Sequence, residues 1–438
     1  SHSYDYGPLG VILKNNIKKI WQTIFVDQDF WSYLYEARML LNPQVWVASK
    51  HIDKFIDYFV TNLNNKKRYR LDHLLNTYYP DLVFDSSKIE DYYPYLDKIK
   101  RVDNTKTSWS KIQCFNLLFQ TNLGIVEDNK TVLHFRPELA QGLIINFKNL
   151  LKINGNKLPL AIAQIGHSFR NEITPKNFIF RTREFEQMEV ECFVKKTDED
   201  KYFDYYLEKM VLLLKNLGFD SNSYRLTNIE KNDLAHYAKK VVDIEFNFSF
   251  GWGELMGLAN RGTFDLSNHA LYSKKDLSFL DSQTQEKIIP SIIEPSIGLD
   301  RLMLAVLDHH FFLEELESGK TRHLLKLNLR SCPYQIAVLP LIKEVHNERA
   351  LCVYNLLKKH NFRITFQNSG TIGKRYRKQD ALGTYYCLTI DDQSLEDNNN
   401  QNLNEININL RNRDSMKQIK LTLNELINDF YKLDERFN

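Results

Sequence analysis

The chain has no cysteine pairing that could close a disulfide framework. Its five cysteines, Cys114, Cys192, Cys332, Cys352 and Cys387, lie far apart, are odd in number and form no CxxC. That disfavours an oxidised scaffold and a cysteine-bound zinc, and it fits a reducing cytoplasm. Long hydrophobic runs are also missing. The longest apolar stretch, around Tyr334 to Ile342, is far short of the ~20 residues a membrane helix needs, so no membrane partner is expected. Neither sign of charge dominates, since 58 Lys and Arg against 55 Asp and Glu leave a formal net charge of +3. Near-neutrality names no partner, and a basic face for nucleic acid stays open. Proline is scarce, at 11 residues, while hydrophobic residues make up 43% of the chain; this is the composition of folded protein, not of linker. A length of 438 residues allows two or three domains. The first residue is Ser1, inside patterned sequence, so a preceding piece is expected and an organellar leader stays open beside the cytoplasmic expectation.

What is present divides the chain. Residues 11 to 26 (VILKNNIKKIWQTIFV) set Ile12, Ile17, Ile20, Trp21 and Ile24 near helical spacing after the turn in YDYGPLG, which predicts an amphipathic helix. Residues 49 to 109, rich in Lys, Tyr and Asp, read as an inserted, largely solvated module. Thr197 with Asp200 reads as a capping box, and Phe203, Tyr206, Met210, Leu213, Leu214 and Leu217 carry a helix to Gly218; a helical insertion is set at about 197–235. After Pro333 strand and helix alternate (YQIAVLPL, NERALCVYNLLKKH, FRITFQN, GKRYRKQDALG, YYCLTID), which predicts a separate α/β domain over 331–438. The Asn-rich tract from Asp397 to Asn409 reads as a surface loop or hairpin.

One stretch concentrates charge. FRNEITPKNFIFRTREFEQME, Phe169 to Glu189, sets arginines and glutamates among regularly spaced phenylalanines around a Thr174-Pro175-Lys176-Asn177 turn. The turn predicts an antiparallel hairpin, with Arg181, Arg183, Phe185, Gln187 and Glu189 on one strand face. Arg181, Phe185 and Glu189 would then form a row of cation, ring and anion, and Arg170 on the facing strand would add a second planar cation. Such a row suits the phosphate and base of a nucleotide, although a solvated, salt-bridged hairpin uses the same residues. Its company favours a site. HFRPELAQG supplies Arg136 and Glu138, FGWGELMGLANRGTFDL supplies Glu254, and EPSIGLDRLM supplies Glu294, Ser296, Gly298 and Arg301. Charges embedded in apolar or Gly-containing sequence tend to be paired in sites.

These segments together resemble the class II aminoacyl-tRNA synthetases, and closely the homodimeric glycyl-tRNA synthetase family. FRNE with RTREFEQME resembles the second signature motif of the class, EPSIGLDR the third, and Pro43 in LNPQVW the dimer-interface proline of the first. YDYGPLG, DHL, RPELAQG, GWGEL and GKRYRKQD follow in family order, so the resemblance spans essentially the whole chain. It implies an α+β catalytic core over 1–330, an antiparallel sheet flanked by helices, and then an α/β anticodon-binding domain. The implied reaction joins ATP and glycine as glycyl-adenylate and passes glycine to the 3′ end of its tRNA.

Carried over residue by residue, Arg170 would hold the α-phosphate and Glu172 the adenine amino group. Phe185 and Arg301 would cover the two adenine faces, Arg181 would lie near the γ-phosphate, and Glu254 would help hold Mg²⁺. Arg170 and Arg301 would be the catalytic pair. Asn171, Phe180, Thr182, Arg183, Glu184, Leu255, Gly298, Leu299 and Asp300 complete the implied ATP site. The implied glycine site takes Glu138, Glu189, Glu294 and Ser296, with Arg70 from RYRLDHL, and is flanked by Phe185, Glu186, Gln187, Met188, Pro295, Ile297 and Gly298. Three carboxylates around one ammonium make chemical sense and leave no apolar wall for a side chain.

Other signals are weaker. GTIGK (Gly370 to Lys374) lacks the spacing of a phosphate loop. Lys374, Arg375, Arg377 and Lys378 form either a solvated face or a tRNA contact. His309, His310 and Glu314 have ligand spacing but read as a helix end. Family members often carry a cysteine pair shortly before RYRxDHL; here the text is TNLNNKKRYR, so no zinc is expected. SKHIDKFIDYF also departs from the family's Gly-containing form, and RPEL replaces the commoner RPET. Two alternatives remain: a catalytically inactive, synthetase-like nucleic-acid-binding paralogue, and a class II enzyme for proline, threonine or histidine, against which the acidic set argues.

Overall fold

The hairpin read in Phe169 to Glu189 forms the middle of a seven-stranded sheet. A computed structural model describes residues 3–124, 131–229, 238–317, 319–396 and 402–437. The sheet strands are β1 (Ser32–Leu34), β2 (Leu160–Phe169), β3 (Glu184–Val194), β4 (Tyr224–Asn228), β5 (Lys240–Phe248), β6 (Gly251–Gly262) and β7 (Ser291–Gly298), in the order β1-β2-β3-β7-β6-β5-β4. Only β1 and β2 run parallel; the remaining pairs are antiparallel.

Period-two alternation gives the sheet two unlike faces. Met188, Val190, Cys192 and Ile297 point to one side, into a core with α1 (Pro8–Gln22), α2 (Glu199–Leu217) and a later helix, Leu299–His310. Trp21, Tyr206, Leu213 and Leu302 are fully buried there. The opposite face carries Phe185, Gln187 and Glu189 beside Ser296 and is open along part of its length. Further along it is closed by α3 (Phe264–Ser273) and by the short helices Ala140–Ile144 and Phe147–Ile153, through Leu143, Phe147 and Leu266.

Several expectations change. The first helix starts at Pro8, buries Leu13 and not Ile12, and ends in a single π-turn, Thr23–Asp27. The Thr197 capping box does not form: Lys196–Asp198 is a 3₁₀ turn, and no side chain caps α2. Its far end is as expected, with Gly218 at φ 88°. α2 packs on β6 and β7 as a core layer; residues 230–235 of the expected 197–235 insertion lie outside the described residues.

Residues 49–109 are exposed or half-buried at most positions but carry a small core of their own. Val60, Leu71, Leu74, Leu75, Leu96 and Val102 bury themselves with Tyr92 against partly buried Tyr58, Tyr69 and Trp109. This small core sits on a three-stranded antiparallel sheet of Ile56–Thr61, Arg68–Arg70 and Gln113–Asn116. Its centre is aliphatic apart from Tyr92, and partly buried tyrosine rings pack around it.

Beyond α4 (Leu299–His310), a hairpin of Phe311–Glu315 and Thr321–Leu325 leads to the C-terminal sheet. That sheet is β8 (Ile336–Pro340), β9 (Ile364–Phe366), β10 (Tyr386–Ile390), β11 (Asn407–Asn412) and β12 (Gln418–Thr422), ordered β9-β8-β10-β11-β12. The first three are mutually parallel, with α5 (Lys343–Lys359) and α6 (Ile372–Leu382) as crossovers; the last two are antiparallel. The Asn-rich tract is therefore not all loop. Its end is strand β11, which buries Ile408 and Leu410, while residues 397–401 lie outside the described set. The buried Asp380 of α6 receives Arg411 of β11 at 2.8 and 3.0 Å and Arg322 of the hairpin at 3.2 Å, tying the first unit to the second.

Candidate active site

A cavity of about 470 Å³ lies on the open face of the sheet. Its floor is set by register: Glu189 lies opposite Ser296, which lies opposite Gly257, and Gln187 lies opposite Gly298. Four residues of strand, ~13 Å, separate Phe185 from Glu189, so the floor has two ends.

The first end is cationic. Arg170, just beyond β2, donates from Nε to the Pro137 carbonyl at 3.0 Å and lies 5.3 Å from the Phe185 ring centre. Arg301, in the first turn of α4, donates from Nε to the Phe180 carbonyl at 3.0 Å and from Nη1 to the backbone and carboxylate of Glu254, both at 3.1 Å. Its guanidinium lies 4.4 Å from the Phe180 ring centre. Arg181 sits 3.9 Å from Glu172, and its Nε is buried with no hydrogen-bond partner. Burial, with Arg301 and Arg70 nearby, lowers its proton affinity against the pull of Glu172. A polyanion would satisfy this group of guanidinia.

Carboxylates at that end suit a hard cation. The Arg301 guanidinium holds Glu254 below the usual range. On the adjacent strand, burial pushes Asp243 up to about 7, with Glu254 and Glu245 adding to the rise. Oxygen donors of this kind fit Mg²⁺ bound together with phosphate, since a cation placed there would favour their ionised forms.

The second end is acidic. Glu189 accepts hydrogen bonds from the backbone N–H groups of Leu139 and Ala140 at 2.9 and 3.1 Å, from Ser296 Oγ at 2.7 Å and from Gln187 Nε2 at 2.7 Å. Glu294 accepts two bonds from Arg261 Nη1, at 2.9 and 3.0 Å. Arg261 also pairs with Asp265 through Nε at 2.8 Å and Nη2 at 3.1 Å. Glu138 lies 3.5 Å from both His51 Nε2 and Arg261 Nη2 and accepts from Gln141 Nε2 at 3.1 Å. Gln141 reaches on to Asp265 at 2.9 Å and His269 at 2.7 Å.

The acids differ in charge state. Burial would raise Glu138, yet His51 and Arg261 hold it well below the usual range. Burial, with Glu138 beside it, raises Glu189. Glu189, Glu191 and Glu294 have carboxylate oxygens within 4.8 Å of one another. At an effective dielectric near 20, each ionised pair at that distance repels by about 3–4 kcal/mol. Arg261 alone, with its Nη1 shared by both oxygens of Glu294, cannot compensate all three.

Arg170, Glu172, Phe180, Arg181, Thr182, Phe185, Gln187, Glu254, Leu255, Gly298 and Arg301 thus share one cavity with Glu138, Glu189, Glu294 and Ser296. Glu186 and Asp300 also line it in part, although their carboxylates turn to other partners; the others are placed elsewhere. Arg70 is bound by Asp57 at 3.1 Å and by Asp72 at 3.0 and 2.5 Å, and its field reaches Glu172 and Arg181 at the cationic end, away from the acids. Glu186 turns to the helical face, 3.0 Å from Lys14 and 2.5 Å from Lys18. Met188, Ile297 and Leu299 are core residues on that same face, which strand parity assigns to Pro295 as well. Asp300 accepts from Tyr6 Oη, from Lys14 at 2.9 Å and from the Glu186 N–H at 2.7 Å, a structural junction. The Glu184 carboxylate is over half exposed, 4.0 Å from His167. Asn171 is tied through its N–H to the Leu117 carbonyl, and Arg183 donates to the Glu172 carbonyl. Arg181 and Arg183 precede β3, so the face-sharing row begins at Phe185.

Sequence reading missed Arg261, Asp265, Gln141, His51, Glu191 and Asp243. Arg261 and Asp265 had a readable signal, an i, i+4 pair inside ANRGTFDL. Arg136, singled out there, is a staple that binds the carbonyls of Ala37 and His167, both at 2.7 Å.

Residues 119–310 match the family model of the tRNA synthetase class II core domain (G, H, P, S and T), and residues 335–433 match that of the anticodon binding domain. Sheet, cavity and domain order together define a class II aminoacyl-tRNA synthetase. A glycine–tRNA ligase of Mycoplasmopsis synoviae is 46% identical over 98% of this chain and 93% of its own length. One from Malacoplasma penetrans is 42% identical over 100% and 93%. The chain belongs to the glycine–tRNA ligase family. Among solved structures, the RNA binding domain of threonyl-tRNA synthetase from Cryptosporidium parvum aligns with TM-score 0.64 at 18% identity, covering 98% of this chain and 92% of that one. Giardia lamblia prolyl-tRNA synthetase aligns with TM-score 0.62 at 13% identity, covering 97% and 70%; both speak to fold alone.

Proposed function

We propose that this protein activates glycine with ATP to glycyl-adenylate and transfers the glycyl group to the 3′ end of glycine tRNA, residues 1–330 performing catalysis and 331–438 holding the anticodon arm. One observation carries the residue assignment: Glu138, Glu189 and Glu294, from three separate segments, line the same cavity as Arg170 and Arg301.

Glycine's ammonium lies against Glu138, Glu189 and Glu294, with Ser296 fixing Glu189. The adenine rests on Phe185, Arg301 covers its other face and Glu172 accepts from its amino group. Arg170 holds the α-phosphate and Arg181 the γ-phosphate. The glycine carboxylate then attacks the α-phosphorus in line with departing pyrophosphate, and the guanidinia neutralise charge as it builds. Glu254, with Asp243 beside it, would hold Mg²⁺, which when bound neutralises phosphate charge. No covalent enzyme intermediate is needed. Selection works by exclusion, since a larger amino acid must overpack polar walls that have fixed partners, at ~1–3 kcal/mol or more. The 2′ or 3′ hydroxyl of the tRNA next displaces AMP from the adenylate.

The chain acts as a homodimer in the cytoplasm and carries no zinc where relatives have a cysteine pair. No described helix is long and apolar enough to cross a membrane.

Amino-acid-dependent exchange of pyrophosphate into ATP tests the reading. Glycine alone should support exchange among glycine, proline, threonine and histidine, and Arg170→Ala should abolish it. Exchange with another amino acid, or none at all, sinks the assignment; near-normal exchange by Arg170→Ala sinks the role of Arg170. Sedimentation reads the dimer.

A further inference from the structure

Behind the acidic wall lies a carboxyl group that the reaction as described does not use. Glu191 is fully buried on β3, one strand repeat beyond Glu189, and neither carboxylate oxygen has a hydrogen-bond partner. Buried carboxylates in folded proteins are paired or hydrogen-bonded, and an orphan of this kind needs a reason. Its oxygens lie within 4.8 Å of those of Glu189 and Glu294. Charges reach it from four elements, Glu189 on its own strand, Glu294 on β7, Arg261 at the end of β6 and Asp265 on α3, while β2 sets apolar Ile162 opposite it. Glu138 stands beyond Arg261, and the nearby imidazole of His269 is held at about 4 by burial, hence neutral at pH 7.

One guanidinium cannot neutralise all the acids around it. Arg261 pairs directly with both Glu294 and Asp265, and burial still pushes Glu294 up to about 8. Glu189 is raised by burial and by Glu138, but it has hydrogen bonds that favour its anion, from two backbone N–H groups and a hydroxyl. Glu191 has none of these supports, so the neutral acid is its stable form while the cavity is empty. A cation placed against Glu189 and Glu294 removes that preference, because opposite charge nearby favours ionisation.

We propose that Glu191 is a positioning residue which sets the charge of the amine pocket: a neutral acid in the empty site, it releases its proton to solvent as the glycine ammonium arrives. The pocket thus gains negative charge only when a cation is there to meet it. The inference rests on the glycine reading above. No bond forms or breaks other than the Glu191 O–H, and the proton leaves to buffer.

Linkage gives the test. If binding releases a proton, kcat/KM for glycine in pyrophosphate exchange rises with pH between about 6 and 8, with a limiting slope of about tenfold per pH unit. Glu191→Gln, a neutral isostere, should flatten that slope, and Glu191→Asp should keep part of it. A Glu191→Gln enzyme with the wild-type slope overturns the proposal. Should that variant fail to fold, a pH indicator read on wild-type enzyme supplies the answer when glycine is added with a non-hydrolysable ATP analogue. Release of protons that grows toward pH 6 supports the proposal, and binding of glycine without any proton release between pH 6 and 8 overturns it. Absence of glycine-dependent exchange would instead overturn the glycine reading and this inference with it.

Discussion

Arg261 Nη1 bridges both oxygens of Glu294, at 2.9 and 3.0 Å, while Nε and Nη2 of the same guanidinium hold Asp265. One planar cation therefore orients two carboxylates on two elements. Arg261→Met should destabilise the protein by about 3–5 kcal/mol, because it leaves both acids buried without their partner. Arg261→Lys should recover little of this, since an ammonium cannot reproduce the fork. Chemical denaturation of the three proteins checks both statements, and wild-type stability in Arg261→Met contradicts the first.

Gly166 of β2 has no room for a side chain. A Cβ there would overlap Arg136 Nη2 and come within 3.3 Å of Leu139 Cδ2. Arginine tips usually swing aside, but this one is buried and committed to the carbonyls of Ala37 and His167. Gly166→Ala should cost about 1–3 kcal/mol of stability. It should also raise KM for glycine more than KM for ATP, because the Leu139 and Ala140 N–H groups that fix Glu189 follow Arg136 along the chain. Equal changes in the two KM values would refute that route.

Glu186 couples the sheet to α1. Burial alone would raise its carboxyl, but Lys18 and Lys14 hold it below the usual range. A folded pKa below the unfolded one adds stability that is present above the unfolded value, near 4.3, and lost as pH falls through the folded one. Glu186→Gln should cost roughly 1–3 kcal/mol at pH 7, and the difference from wild type should shrink as pH drops below about 4. Thermal melts at pH 7 and pH 3.5 read this directly; a gap that widens in acid contradicts it.

The basic run on α6 divides by exposure. Arg375 is buried and donates to the carbonyls of Pro340 and Leu341 at 2.6 and 3.1 Å, whereas Lys374, Arg377 and Lys378 face solvent. Changing those three to Ala should leave pyrophosphate exchange intact. Charging of tRNA should fall roughly tenfold, and the slope of log affinity against log salt should drop by up to about three. Arg375→Ala should act on stability instead. Charging kinetics at two salt concentrations separate these effects.

Local pattern was enough to read some of this architecture. The spacing from Phe203 to Leu217 announced α2, and the Pro175 turn with the phenylalanine alternation announced the β2–β3 hairpin. Elements that depend on distant partners were hidden. Asn407–Asn412 is polar in text, yet it lies between β10 and β12, where alternate residues such as Ile408 and Leu410 reach the core. The small core of the 49–109 module was hidden because its Leu, Val and Ile residues are spread thinly among Lys, Asp and Tyr and meet only through the fold. Glu191 looked like one more strand glutamate, since neither its burial nor its orphaned oxygens can be seen before β3, β6 and β7 come together. Arg70 is half legible in the same sense: Asp72 is two residues away in the text, whereas Asp57 reaches it only through the sheet pairing of Phe59 with Arg70.

Asp380 takes guanidinium groups from two units of the chain, Arg411 from its own sheet and Arg322 from the preceding hairpin, and all three side chains are buried. Swivelling one unit on the other would part Arg322 from Asp380 and from the Arg413 carbonyl, leaving it only Glu314 of its own hairpin. Two buried bonds from a single guanidinium thus resist rotation at the seam between the catalytic and the C-terminal sheet.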